Sequence, residues 1–362
     1  MKDLVATQRV KFFPQCQYMG DGKFVSLLDN SMEYKVEIKS KLVDATCTTT
    51  KVPATTKPNY EVSDEVTLIP INGLSSISAP WPHYMVIGGG KTGIDAVLFL
   101  LDNHVNPDKI SWVVPNDCWF FERNFFLPDG KMAEPIAKMF DAIIDEKAQT
   151  VTEALLALEK TGMLMRLEKD ILPTRFRAAT ITKEEAGKLR LVNNIIRKGR
   201  IEKIGAKKIV FKSGEETVAD PRTLYVDCSV NGTLFAPPKK VFDGRTINIQ
   251  FIRAPPPGLS ANIIAALELK FPDDEEKNNS VCFVMTPPQL PEDFFKMLQV
   301  DALTSQAAIK ALGFWWERQR RSSSLHHMKF LELVKVIFAI KKRQQPLIKK
   351  IIQLLGETGD MI

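Results

Sequence analysis

Residues 84–103 read YMVIGGGKTGIDAVLFLLDN. Tyr84-Met85-Val86-Ile87 is a short apolar run of the kind a buried strand needs, and residues 94–103 continue as an apolar helix. Between them lie Gly88, Gly89, Gly90, Lys91, Thr92 and Gly93. After a turn at Asn106-Pro107-Asp108, the run Ile110-Ser111-Trp112-Val113-Val114 reads as a second strand, ended by Pro115-Asn116-Asp117. Strand, glycine turn, helix, strand fills the ~30 residues of one βαβ unit.

Gly88, Gly90 and Gly93 fit the spacing G-x-G-x-x-G. The first glycine permits the tight turn off the strand. The second lets a pyrophosphate approach the backbone, and the third lets the helix pack close to the strand. The free N–H groups and the dipole of the helix N-terminus then face the phosphates. The motif directly follows a strand pattern and opens a helix, the context it requires, so dinucleotide binding is read ahead of a merely structural turn. Gly90-Lys91-Thr92 imitates the end of a Walker A loop, but that loop needs a glycine where Met85 stands, which disfavours a P-loop ATPase. Beyond the second strand, Asn116 can hydrogen-bond NAD or NADP. Asp117 favours NAD if it faces the pocket, and Arg123 favours NADP if it folds back, so the choice stays open.

The rest of the 362 residues suits an ordinary folded chain of two or three domains, with 44% hydrophobic and 25% charged residues. The longest strongly apolar stretch, residues 331–340, is interrupted by Lys335, and the first fifteen residues lack the apolar core of a signal peptide. The expected address is cytoplasmic. Cys16, Cys47, Cys118, Cys228 and Cys282 are far apart and include no C-x-x-C, which argues against a disulfide framework or a zinc site. Cys228 is expected to be a buried structural thiol. The net charge of +6 is concentrated late: residues 310–350 hold eleven Lys/Arg against Glu317 and Glu332. That region suits nucleic acid, an anionic surface or an acidic partner. The absence of any nucleic-acid motif favours the plain reading of a solvated helical face.

Elsewhere, Gly20-Asp21-Gly22 marks a hairpin turn, with strands expected over 23–28, 34–39 and 41–46. Residues 47–82 are rich in Thr, Pro and Ser and read as a connection. Residues 131–165 read as helical, with a capping box at Thr150–Glu153 and a stop at Gly162, and Thr182–Glu185 is a second capping box. Short strands follow over 200–212, then a buried strand over 224–229, and a helix starting near Ser260. Val43-Asp44-Ala45-Thr46 and Val226-Asp227-Cys228-Ser229 are alike and bracket the glycine-rich unit.

YMVIGGGKTGIDAVLFLLDN, followed by ISWVVPNDCWFFERNFF at 110–126, resembles the NAD(P)-binding domain of two-dinucleotide flavoproteins, the group of flavin-containing monooxygenase-like and pyridine-nucleotide oxidoreductases. The resemblance implies an α/β fold in which a Rossmann-like NAD(P)-binding domain, residues 47–224, is inserted into a partial FAD-binding-type domain made of residues 1–46 and 225–290. A basic helical region, 291–362, follows. LVDAT (42–46) and YVDCS with Gly232 are similar to the two crossings between the domains, which would put Thr46, Ser229 and Gly232 near the flavin. The family's FAD domain opens with its own strand and G-x-G-x-x-G, and no such motif precedes Asp44. The chain is therefore expected to begin partway through that domain, and FAD would lack its main pyrophosphate grip in this chain alone.

Two functions follow from the resemblance. One is an NAD(P)H-dependent flavoprotein oxidoreductase, monooxygenase-like, passing hydride from nicotinamide to flavin. Its NAD(P) pyrophosphate would be held by the Gly88–Gly93 turn, and it needs no catalytic His or Cys. The other is a non-enzymatic module that binds NAD(P) as a sensor, or a partner through its basic helices. The substrate is not readable under either.

Overall fold

The computed structural model describes residues 2–29, 31–126, 133–230, 233–254, 257–319, 326 and 328–356. Its centre is a five-stranded parallel sheet in the order Asn194–Ile196, Ile110–Val113, His83–Ile87, Thr223–Asp227, Thr67–Pro70. Both faces are covered, which is why its inner strands are continuous apolar runs. Alternate side chains serve opposite faces. Tyr84, Val86, Ile110, Trp112, Leu224 and Val226 pack toward the helices Lys91–Asp102 and Lys183–Leu189. Met85, Ile87, Val113 and Tyr225 pack toward Ile201, Ile204, Ile209 and Phe211. These four belong to an antiparallel meander, Ile201–Ile204, Lys208–Phe211 and Glu216–Val218, whose first strand also pairs with Glu61–Val62.

The expected strand–turn–helix–strand unit is present as His83–Ile87, Lys91–Asp102 and Ile110–Val113. Both capping boxes form. The Thr150 hydroxyl accepts the Glu153 amide, that of Thr182 accepts the Glu185 amide, and each glutamate reaches back to its cap residue. Gly162 ends the helix Val151–Thr161 at φ +82°, a conformation glycine adopts without strain.

Several expectations need correction. Residues 47–82 are not only a connection: Thr48–Thr50, Glu61–Val62 and Thr67–Pro70 are strands, the last an edge of the central sheet. Lys2–Ala6 forms a short helix ahead of the first hairpin. The strand expected over 34–39 is limited to Glu33–Lys35. Thr223–Asp227 lies in the same sheet as His83–Ile87.

Two further cores are built outside the sheet. Cys118–Glu122 is a wholly buried strand, parallel to Arg175–Ile181 and antiparallel to Leu164–Met165. Its Trp119 and Phe121, with Phe176, Phe294 and Phe295, form a second core under the helices Ala133–Ile144, Val151–Thr161, Asp293–Leu312 and Phe330–Leu355. A third core joins Val241, Phe242, Ile247 and Ile252 to the helix Pro257–Lys270. Here Leu42–Asp44 pairs in parallel with Thr246–Asn248, and Thr48–Thr50 pairs antiparallel with Thr233–Phe235. Segments from either side of the central sheet therefore meet again outside it.

Candidate functional site

The glycine turn stands at the carboxyl end of the middle strand, where the chain bends from sheet into helix. Two of its glycines are obligatory. Gly88 has φ +131°, and a Cβ there would lie 2.4 Å from the Cys228 carbonyl oxygen. A Cβ on Gly93 would lie 1.9 Å from the Gly88 carbonyl oxygen. A Cβ on Gly89 would press on Val114, at 2.9 Å.

Gly90 is different. It has ordinary extended backbone, φ −84° and ψ −178°, and a Cβ there would meet nothing within 4 Å. No packing demand of the fold explains a glycine at that position. It is also the N-cap of the helix Lys91–Asp102, and no side chain caps that end. The first amides of the helix, at the positive end of its dipole, therefore have no side-chain cap and stand beside a residue without a side chain. A helix end of this kind can receive an anion that needs close backbone approach.

The neighbours of the turn are ordered by buried polar contacts. The Trp112 indole N–H donates to the Gly88 carbonyl at 2.8 Å. The Gly88 amide donates to Val113 O, and the Cys228 amide to Ile87 O. Asp227, 3% exposed, ends the adjoining strand. Its Oδ1 accepts the Ser229 amide at 3.0 Å, the Ser229 hydroxyl at 2.6 Å and the Tyr60 hydroxyl at 3.1 Å. Burial, and then the Asp227 charge, push the Tyr60 hydroxyl far above its ordinary pKa, so it stays a proton donor.

The structure gathers some expected site residues and separates others. Gly88, Gly89, Gly90, Lys91, Thr92 and Gly93 form one corner, and the main chain of Asn116 joins it, its backbone carbonyl oxygen 3.3 Å from where a Gly89 Cβ would be. Lys91 pairs with Asp95 one turn along the helix. Ser229 is beside the same corner, its amide nitrogen 3.3 Å from the position of a Gly88 Cβ. Thr46 sits instead at the end of the strand Leu42–Asp44, where its amide and hydroxyl donate to Asp44 Oδ1 at 2.8 and 2.6 Å. Those bonds hold the Asp44 carboxyl below its usual pKa. Gly232 lies outside the described residues.

The two groups expected to separate NAD from NADP are both engaged. Asp117 is held by Arg197 in a two-pronged pair at 3.0 and 3.2 Å, and Arg197 also takes Glu168 at 2.7 Å. Burial opposes the Arg197 charge, but its bonds to Asp117 and Glu168 outweigh burial and raise its pKa. Arg123 turns to Glu185 at 3.0 Å and to the Thr180 carbonyl. Sequence reasoning missed Trp112, Tyr60 and Arg197 as parts of this region. Only Trp112 carried a signal: a polar-tipped ring on the strand next to the glycine-bearing one, on the face that receives the helix.

The helix end and the open Gly90 fit a diphosphate. The cleft beside Thr46, lined by Asp44, Cys47, Lys239, Asn248 and Gln250 among others, holds only about 30 Å³, room for roughly a water molecule. The hydroxyls of Thr46 and Ser229 each donate to the aspartate two residues before.

No known family model matches the chain. It is 33% identical over 302 residues to an uncharacterized protein of Mycobacterium bovis (strain ATCC BAA-935 / AF2122/97) and, to the same extent, to uncharacterized proteins of Mycobacterium tuberculosis strains CDC 1551 and H37Rv. The matched stretch is 83% of this chain and 55% of each relative, so the chain spans about half the length of the curated relatives it matches.

Proposed function

We propose that the Gly88–Gly93 corner binds the pyrophosphate of NAD(P)H, and that the chain supplies the pyridine-nucleotide half of an oxidoreductase of the two-dinucleotide flavoprotein kind. The observation that carries this reading is Gly90, a glycine with ordinary backbone and open space where its Cβ would stand, at an uncapped helix N-terminus. In this reading the amides that follow Gly90 hold the diphosphate. Trp112 fixes the Gly88 carbonyl so that the turn is set before the ligand arrives. Asp227, satisfied by Ser229 and Tyr60, keeps the neighbouring strand end in place. The paired segments Thr48–Thr50 and Thr233–Phe235, each just after an Asp-x-Ser/Thr turn, support an inserted Rossmann-like domain with two crossings.

A second reading, a dinucleotide-binding module without flavin chemistry of its own, is favoured by the inward-turned hydroxyls of Thr46 and Ser229. One preparation tests both. Titration of the purified protein with NADH and with NADPH, followed by nicotinamide fluorescence, is expected to saturate with at least one of them. Absence of saturable binding to either overturns the assignment. The visible spectrum then separates the two readings: bound flavin that bleaches with NAD(P)H supports the oxidoreductase, and a colourless protein that binds NAD(P) supports the module.

A further inference from the structure

The helix Phe330–Leu355 is built with two unlike faces. Leu333, Val336, Leu347 and Ile351 are buried against the body of the protein. Arg343 fastens the same side, donating to Asp141 through two hydrogen bonds of 2.6 and 2.8 Å. On the opposite face Leu331, Lys335, Phe338, Lys342, Gln345 and Lys349 follow at alternating spacings of four and three residues, one continuous stripe along a helix. Every residue of that stripe is exposed. Leu331 is 73% exposed and Phe338 71%, and Phe330 beside them is 65% exposed.

Charge and apolarity together select the occupant. The helix carries Lys335, Lys341, Lys342, Arg343, Lys349 and Lys350 against Glu332 alone. Lys335 pairs with Glu332 and Arg343 with Asp141, while Lys341, Lys342 and Lys349 make no ion pair among the described residues. A second copy of this face would set like charge against like charge. A purely ionic partner such as nucleic acid would leave Leu331 and Phe338 in water. An anionic lipid surface accommodates both: the apolar side chains enter the acyl boundary while the lysines extend to the phosphates. Among the described residues no helix is long and apolar enough to cross a membrane, so the contact is one of lying on the surface.

We propose that this face of the C-terminal helix docks the protein in plane on membranes rich in anionic phospholipid. The proposal is independent of the dinucleotide site.

The test is co-sedimentation of the full chain with phosphatidylcholine vesicles and with vesicles containing about one-third phosphatidylserine. Binding is expected only to the anionic vesicles, and it should weaken steeply with added salt. Changing Lys335, Lys341 and Lys342 together to Gln should weaken it about a hundredfold. Leu331→Ser with Phe338→Ser should weaken it more than tenfold with thermal unfolding unchanged, since both side chains are already in water. Should the apolar variant fold poorly, the lysine variant decides alone. Failure to bind anionic vesicles, equal binding to neutral ones, or full binding by the lysine variant overturns the proposal. So does a dimer in light scattering that the Leu331/Phe338 variant dissociates, or binding to duplex DNA as tight as to the vesicles.

Discussion

Trp112 clamps Gly88: its indole N–H donates to the Gly88 carbonyl at 2.8 Å with both groups buried. Gly93 closes on the same carbonyl from the helix side. The turn is thus gripped from the neighbouring strand and from the helix it opens. Trp112→Phe keeps most of the ring but removes the donor. It is expected to cost about 1–3 kcal/mol of stability by urea unfolding, and to weaken NAD(P)H binding. Unchanged stability would show that the bond contributes nothing.

Gly90→Ala and Gly93→Ala separate ligand binding from folding. The Gly93 Cβ would collide with backbone, so that variant should lose several kcal/mol, on the order of an overpacked core, and a marked drop in melting temperature is the expected readout. The Gly90 Cβ meets no protein atom, and an N-cap Gly→Ala change costs only about 0.5 kcal/mol. Its melting temperature should barely move while dinucleotide affinity falls about tenfold or more. Full affinity in Gly90→Ala would remove the phosphate role of this corner.

Thr46→Val tests the turn at Asp44 through its pH dependence. The Thr46 hydroxyl and amide hold the folded carboxyl below its ordinary value of 3.8. A depressed folded pKa contributes stability that is present above the unfolded value and lost as pH falls through the folded one. Removing the hydroxyl should therefore cost about 1 kcal/mol at neutral pH, with the difference from the parent shrinking once pH falls below about 4. Urea titrations at neutral and at acidic pH check this, and an equal gap at both would mean that the bond does not depend on carboxylate charge.

The thiols should divide by burial. Burial pushes Cys118 up to about 11 and Cys282 to about 12, and raises Cys228 further still. Cys16 and Cys47 are partly exposed. At mildly alkaline pH a disulfide reagent is expected to modify Cys16 and Cys47 first, read by peptide mass spectrometry, then Cys282, which is also partly exposed, and the buried Cys118 and Cys228 only on unfolding. Rapid native-state labelling of Cys228 would contradict its packing beside Gly88.

The central unit was legible because every local signal agreed: an apolar run, glycines at functional spacing, an apolar helix and a second apolar run. The likeness of Val43–Thr46 and Val226–Ser229 was also legible, and both prove to be turns in which an aspartate takes the amide and hydroxyl two residues on. Thr67–Pro70 was hidden because an edge strand of four residues, ending in proline, resembles the Thr- and Pro-rich connection around it. Cys118–Glu122 was hidden because Pro115-Asn116-Asp117 reads as an end, although the chain re-enters the interior at once. The engagement of Asp117 and Arg123 could not be read at all, since their partners Arg197 and Glu185 lie far along the chain.

Thr223–Asp227 slots between His83–Ile87 and Thr67–Pro70, two strands that leave the ribosome much earlier. Until it emerges, those two apolar strands have bare edges waiting for a late partner. The nascent polypeptide therefore carries an open gap through much of its synthesis, and a translational pause or a lost chaperone in that window is expected to raise aggregation.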